Sequence, residues 1–209
     1  MAPSASTKLQ RAVFALLTAL TLASLAGTAL APYLLVKSPL LLVAISAAAH
    51  HVALAAATVD PVPLVAVATL RRVLTGLGAY GLGYLYGSVA LAWLERRYPR
   101  LAKLVAWVER LFARFGVLVL VVAPAPTVAL LAGAARSRLP AFLLALTAGH
   151  LLWNTATYYL GDAFARWTDL LTASLGENLL ESTLVCVALV GVQQGISLLL
   201  RRRRQRAAT

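Results

Sequence analysis

Few ionisable side chains interrupt the apolar stretches of this chain, and those few are where chemistry is to be sought. His50, His51, Asp60, Arg71, Arg72 and His150 stand in segments otherwise rich in Ala, Leu, Val and Gly, and Arg136 stands in a short turn between two such segments. A charge held in hydrocarbon is costly unless paired or wet, so an ionisable residue there is a functional hypothesis by default. The planar, permanently charged guanidinium groups of Arg71 and Arg72 suit a bidentate grip on a phosphate; the competing reading is that they snorkel to the interface. Asp60 fits a proton-coupling carboxylate, and equally the cap of a hairpin or half of an ion pair. His50 and His51 are candidates for proton coupling because histidine titrates near neutral pH. As neighbours on a helix they point about 100° apart, which disfavours joint ligation of one ion. The plain alternative for both, and for His150 near Trp153, is a satisfied interior residue. No G-x-S-x-G, H-E-x-x-H or carboxylate cluster accompanies them. Neither hydrolysis nor group transfer is expected, so the chain reads as a non-enzyme without metal or cofactor.

The elements that must position these residues are membrane helices. Hydrophobic residues make up 61% of the 209, charged residues only 12%, and the mean hydropathy is +0.82; a soluble domain is about 45–50% apolar. A full helical span needs about 20 residues, so the length suits one membrane domain. The net charge of +12, from 19 Lys and Arg against seven acids, reads as topology rather than nucleic-acid binding, because cytoplasmic loops collect basic residues. Cys186 is the only cysteine and excludes an intrachain disulfide.

In chain order, Lys8 and Arg11 precede a first span over 12–36. Its Ala29, Leu30 and Ala31 resemble a signal-peptidase site, but Pro32 follows at once and the apolar run continues. Residues 39–70 read as a re-entrant hairpin: Asp60, Pro61 and Pro63 interrupt it, and the limb 62–70 would rise only about 14 Å as a helix. A second span follows over 73–94. Its Gly76, Gly78 and Gly81 match G-x-G-x-x-G, yet no strand precedes them. Close helix packing explains the glycines better, with Gly83 and Gly87 as a G-x-x-x-G pair. Residues 96–115 carry Leu101, Leu104, Val105, Val108, Leu111, Phe112 and Phe115 on one side and Arg100, Lys103, Arg110 and Arg114 on the other, the pattern of an amphipathic helix on the cytoplasmic membrane surface.

The second half repeats the plan. Pro124 and Pro126 interrupt 117–134, about 24 Å of helix if it were straight over 117–132, giving a second re-entrant hairpin. Arg136 and Arg138 lie in the turn, 139–160 is a span, 161–181 holds Asp162, Asp169, Glu177 and Glu181 and belongs outside, 184–200 is the last span, and 201–209 is a basic tail. Paired broken segments point to a substrate site where two inverted repeats meet. The fold expected is all-α and polytopic: two inverted hairpin-plus-span repeats with extra N- and C-terminal spans, both termini cytoplasmic.

Phe112 to Gly116 (FARFG), Pro124, Pro126, Gly133, Arg136, Phe142, Gly149, Trp153 and Gly161 fall at a spacing that resembles the DedA family, also called the VTT-domain or SNARE-associated Golgi protein family. The upstream GAYGLGYLYG looks like that family's Gly-and-Tyr segment. The direct match covers 70–167. The resemblance implies an integral membrane transporter or scramblase for phospholipid or polyprenyl phosphate, in a bacterial inner membrane, with Arg71, Arg72, Arg136, Pro124 and Pro126 as candidates for contact with the lipid. The chain departs from the family pattern where arginines flank the second proline break, since Val121 and Thr127 stand there. The family's acid in the first hairpin is also absent unless Asp60 replaces it. The partners expected are membrane lipids with anionic headgroups, with room for a homo-oligomer or a membrane-protein partner and none for nucleic acid. The alternatives are a non-transporting membrane scaffold or assembly partner and, with less support, a lipid-modifying enzyme.

Overall fold

A computed structural model describes residues 3–97, 110, 115 and 118–206. Among them the secondary structure is helical throughout: α1 Pro3–Ala29, α2 Ala31–Lys37, α3 Pro39–Ile45, α4 Ala49–Ala55, α5 Pro61–Arg97, α6 Val119–Val122, α7 Pro126–Ala134, α8 Leu139–Ala163, α9 Ala165–Glu177 and α10 Leu179–Arg206. Four of these helices contain stretches long and apolar enough to cross a membrane: Thr7–Ala29, Pro61–Gly87, Leu139–Ala163 and Leu179–Ser197. The expected amphipathic helix over 96–115 lies almost wholly outside the described residues.

Several boundaries differ from those expected of the sequence. The first span ends at Ala29, and α2 starts beyond Leu30 with Pro32 in its first turn, where a missing N–H costs nothing. No hairpin limb ends at Arg71 and Arg72. A single helix, α5, runs through both and takes in the span expected over 73–94. Its prolines, Pro61 and Pro63, both fall in the first turn, whose amides have no intrahelical partner to lose, so they start a helix instead of breaking one. Residues 161–181 contain the further helix α9, and α10 continues past 200 into the basic tail as far as Arg206.

The chain divides into two compact units, Met1–Thr21 with Val65–Thr157, and Leu22–Leu64 with Tyr158–Thr209. In the first, the core is Ala79 and Tyr80 of α5, Leu120 of α6, Ala129 and Ala132 of α7, and Phe142, Ala145 and Leu146 of α8. Glycines set its closest approaches. A methyl group at Gly83 would overlap the Leu130 carbonyl and one at Gly133 the Tyr80 carbonyl, so α5 and α7 meet backbone to backbone. On another side of α5, a methyl at Gly78 or Gly81 would lie 2.7 or 2.6 Å from the side chains of Leu17 or Val13; the order of the pairs makes α1 antiparallel to α5. The glycine-rich stretch is therefore a helix-packing surface, as small residues are between membrane helices.

In the second unit, Leu34 and Leu35 of α2 and Leu42 of α3 form a small core that Ile45, Leu54 and Leu175 join. Gly27 lets α1 approach Ser46, with a methyl there only 2.7 Å from its Cβ, and Gly161 lies against the Ala53 carbonyl. Helix α10 touches α2 and α9, but none of its best span window is buried, and a methyl added at Gly191 or Gly195 would meet nothing within 4 Å.

Gly83→Ala should lower stability in detergent by about 1–3 kcal/mol or more, the range for overpacking. Gly191→Ala, which meets nothing, should change it by no more than about 1 kcal/mol, in the stabilising direction. Thermal unfolding followed by circular dichroism compares the two directly.

Candidate functional site

Four polar residues of the first unit, Thr69 and Arg72 of α5 and His150 and Asn154 of α8, lie on the faces along which the two helices meet. The two helices pair antiparallel: Thr69 Oγ1 accepts a hydrogen bond from Asn154 Nδ2 at 3.0 Å, and further along a methyl at Gly76 would lie 2.6 Å from Leu146 Cδ2. Thr69, Arg72 and Gly76 share one face of α5 at spacings of three and four; Asn154, His150 and Leu146 share one face of α8 at four. The register set by these two contacts places Arg72 opposite His150. At 1.5 Å per residue, Arg72 is about 16 Å from Pro61 and about 22 Å from Gly87, and His150 about 16 Å from Leu139 and about 20 Å from Ala163. Both lie near the middle of their candidate spans.

Burial makes this seam consequential. Asn154 is fully buried and His150 is 6% exposed, and the Asn154 Oδ1 and His150 Nδ1 atoms have no hydrogen-bond partner. A buried polar atom left unpaired costs about 1–3 kcal/mol, and two such atoms lie a helical turn apart on α8. Which His150 nitrogen carries a proton decides whether Nδ1 donates or accepts there.

Arg71 turns away from this seam. Its guanidinium donates through Nη2 to the Leu20 carbonyl of α1 at 2.7 Å and through Nη1 to Thr75 Oγ1 at 2.8 Å, one turn along α5. Thr75 in turn donates to the Arg71 carbonyl at 3.1 Å. With its side chain only 7% exposed, Arg71 ties α1 to α5.

The proline break lies beside the seam. Ala123 and Ala125 each precede a proline, which disfavours helical backbone, and Ala125 is extended with Pro126 opening α7. The Val122 carbonyl, freed at the end of α6, accepts a 2.9 Å hydrogen bond from Trp153 Nε1, and the Leu120 carbonyl lies against Gly149. Pro124 and Pro126 thus shape a break whose flank is riveted to the α8 turn that carries His150 and Asn154.

Arg136 is elsewhere in the same unit, in the turn after α7. Its N–H donates to the Gly133 carbonyl and that of Ser137 to the Ala132 carbonyl, the bond pair of a Schellman helix end. Arg136 takes the left-handed position there, with φ 52°, where glycine is usual and another residue costs about 1–2 kcal/mol. Its guanidinium carbon lies 5.0 Å from the centroid of the Tyr84 ring.

The remaining candidates belong to the second unit. His51 is buried, its Nδ1 2.9 Å from the Ser46 carbonyl; His50 is exposed, and the two rings meet edge-on with centroids 4.2 Å apart. Asp60 is exposed and precedes α5, its carbonyl accepting from the Leu64 N–H at 3.3 Å. A carboxylate there complements the helix dipole. Among the described residues no cluster of three or more His, Cys, Asp or Glu side chains is placed to hold a metal.

Thr69 and Asn154 escape a search for charges. The one signal for Asn154 is an amide one helical turn after His150 in an apolar run. Compared with known proteins, the chain matches no protein-family model, no curated protein and no solved structure. The helices and their composition define its class by themselves: an integral membrane protein whose described residues carry only helical secondary structure.

Thr69→Val should cost about 1–3 kcal/mol, because it leaves the buried Asn154 amide without its acceptor. Adding Asn154→Leu should recover much of that loss, since removing both partners of a buried pair is far cheaper than removing one. Unfolding in detergent of the two single variants and the double variant measures the coupling.

Proposed function

We propose that this chain moves or scrambles a phosphate-bearing lipid, a phospholipid or a polyprenyl phosphate, across the bilayer without covalent chemistry. The observation that carries this reading is the mid-span position of Arg72 opposite His150, beside two buried polar atoms that the protein leaves unpaired. A charged headgroup crosses hydrocarbon slowly because it must shed water, and a sheltered polar seam replaces part of that hydration. Arg72 supplies a fixed positive charge for a phosphate oxygen, His150 Nδ1 a second contact, and Asn154 Oδ1 an acceptor for a headgroup hydroxyl, while the tails stay among lipids. Arg71 holds α1 against the seam from behind. Asp60, His50 and His51 are the candidates for coupling this movement to protons.

The reading takes 39–60 and 119–134 as re-entrant elements of two inverted repeats, with both termini cytoplasmic in a bacterial inner membrane. Its supports are the resemblance to the DedA family, the non-helical residues 123–125 beside the middle of α8, and the need for irregular backbone at membrane depth to be covered by protein. A second reading, a membrane scaffold or assembly partner without transport, is favoured by Val121 and Thr127 in place of the family's arginines and by the protein bonds that occupy Arg71.

Purified protein in liposomes carrying fluorescent phospholipid or polyprenyl-phosphate analogues tests the proposal. It should accelerate transbilayer movement, and Arg72→Gln should slow that movement about 10- to 100-fold, as loss of one charge-assisted contact implies. Arg71→Gln should mainly lower the melting temperature. Absence of acceleration for every lipid tried would leave the scaffold reading.

A further inference from the structure

A cavity of about 490 Å³ opens in the first unit between the N-terminal half of α1, α5 and the start of α8. Leu9, Val13 and Leu16 form one wall, Leu77 and Tyr84 another, and Leu139 closes the third. Tyr80 also lines it, but its hydroxyl donates to the Ser137 carbonyl at 2.5 Å, so the wall is apolar in effect. The size falls in the range of about 300–1,000 Å³ that holds small amphiphiles.

Two exposed cations neighbour residues that line the cavity. The Arg136 guanidinium carbon lies 5.0 Å from the centroid of the Tyr84 ring, and Arg136 takes a left-handed backbone position, the kind of strain that persists only when the surroundings fix it. Lys8, exposed on α1, stands one helical turn ahead of Ala12, which also lines the cavity. An apolar slot with exposed cations at one end matches an acyl chain attached to an anionic head.

We propose that this cavity seats one acyl chain of an anionic phospholipid, with its phosphate at Arg136 and Lys8. This lipid is a resident ligand that completes the packing of α1 on α5 and α8. Its headgroup end, at Tyr84, lies about 18 Å along α5 from Arg72, and its binding does not depend on whether the chain transports lipid. A zwitterionic lipid offers the same phosphate but also a trimethylammonium that the two cations repel, so it gains less at the mouth.

The protein is extracted from vesicles of equal parts phosphatidylglycerol and phosphatidylcholine and studied by native mass spectrometry. Wild-type protein should retain one phosphatidylglycerol in clear preference to phosphatidylcholine. Arg136→Gly, which removes the charge and suits the left-handed turn, should reduce that preference about fivefold, the effect of one basic residue at an anionic interface. Ala12→Phe, at an exposed cavity position, should reduce retention of both lipids. Equal retention of the two lipids by the wild type, a retained free fatty acid or a second protein copy instead, or retention unchanged in both variants would each overturn the assignment. Lys8→Gln gives the same charge test should Arg136→Gly fail to fold.

Discussion

The geometry of the first unit depends on one contact, the backbone-to-backbone approach of α5 and α7 at Gly83 and Gly133. Each glycine lies against a carbonyl of the other helix, Leu130 or Tyr80. That approach fixes where α7 ends, and so where the turn through Arg136 and Ser137 begins. From the turn, Ser137 receives the Tyr80 hydroxyl and Arg136 reaches the Tyr84 ring. Helix α8 then starts in a direction that lays Leu146, His150 and Asn154 along α5. Without the hydrophobic drive of water, such a chain of close contacts relies on dispersion and buried hydrogen bonds.

What could be read from the sequence followed from composition and from residue types with one dominant use. Glycines among large apolar residues signal close packing, and each one between Gly76 and Gly87 faces another helix. Four apolar stretches are expected to span and the described residues hold four suitable helices, although two begin or end well away from the expected positions. Prolines misled in one place and informed in another for the same reason. A missing N–H matters only where a helical partner awaits it, so Pro61 and Pro63 open a helix, whereas Pro124 and Pro126 stand where α6 would otherwise continue into α7.

The seam itself was only half legible. Arg72 and His150 announce themselves as charge or potential charge in apolar surroundings. Their opposition depends on the antiparallel register of two helices far apart in sequence, which no local pattern encodes. Asn154 and Thr69 carry no charge and are common enough in membrane helices to pass unnoticed, yet their hydrogen bond pins the register. The division of labour between the adjacent arginines was equally hidden: successive helical residues diverge by about 100°, so one faces α1 and the other α8. Arg136 was marked as a cation in a turn, but its left-handed backbone came from the end of α7 and had no glycine to advertise it.

The continuity of α5 has a mechanical meaning. Arg72 and Tyr84 belong to one helix whose hydrogen-bond ladder is uninterrupted between them, and such a segment neither shortens nor bends cheaply. It behaves as a stiff rod with a charge near its centre and an aromatic ring toward one end. A rigid tilt of that rod carries both positions with it, each in proportion to its distance from the pivot.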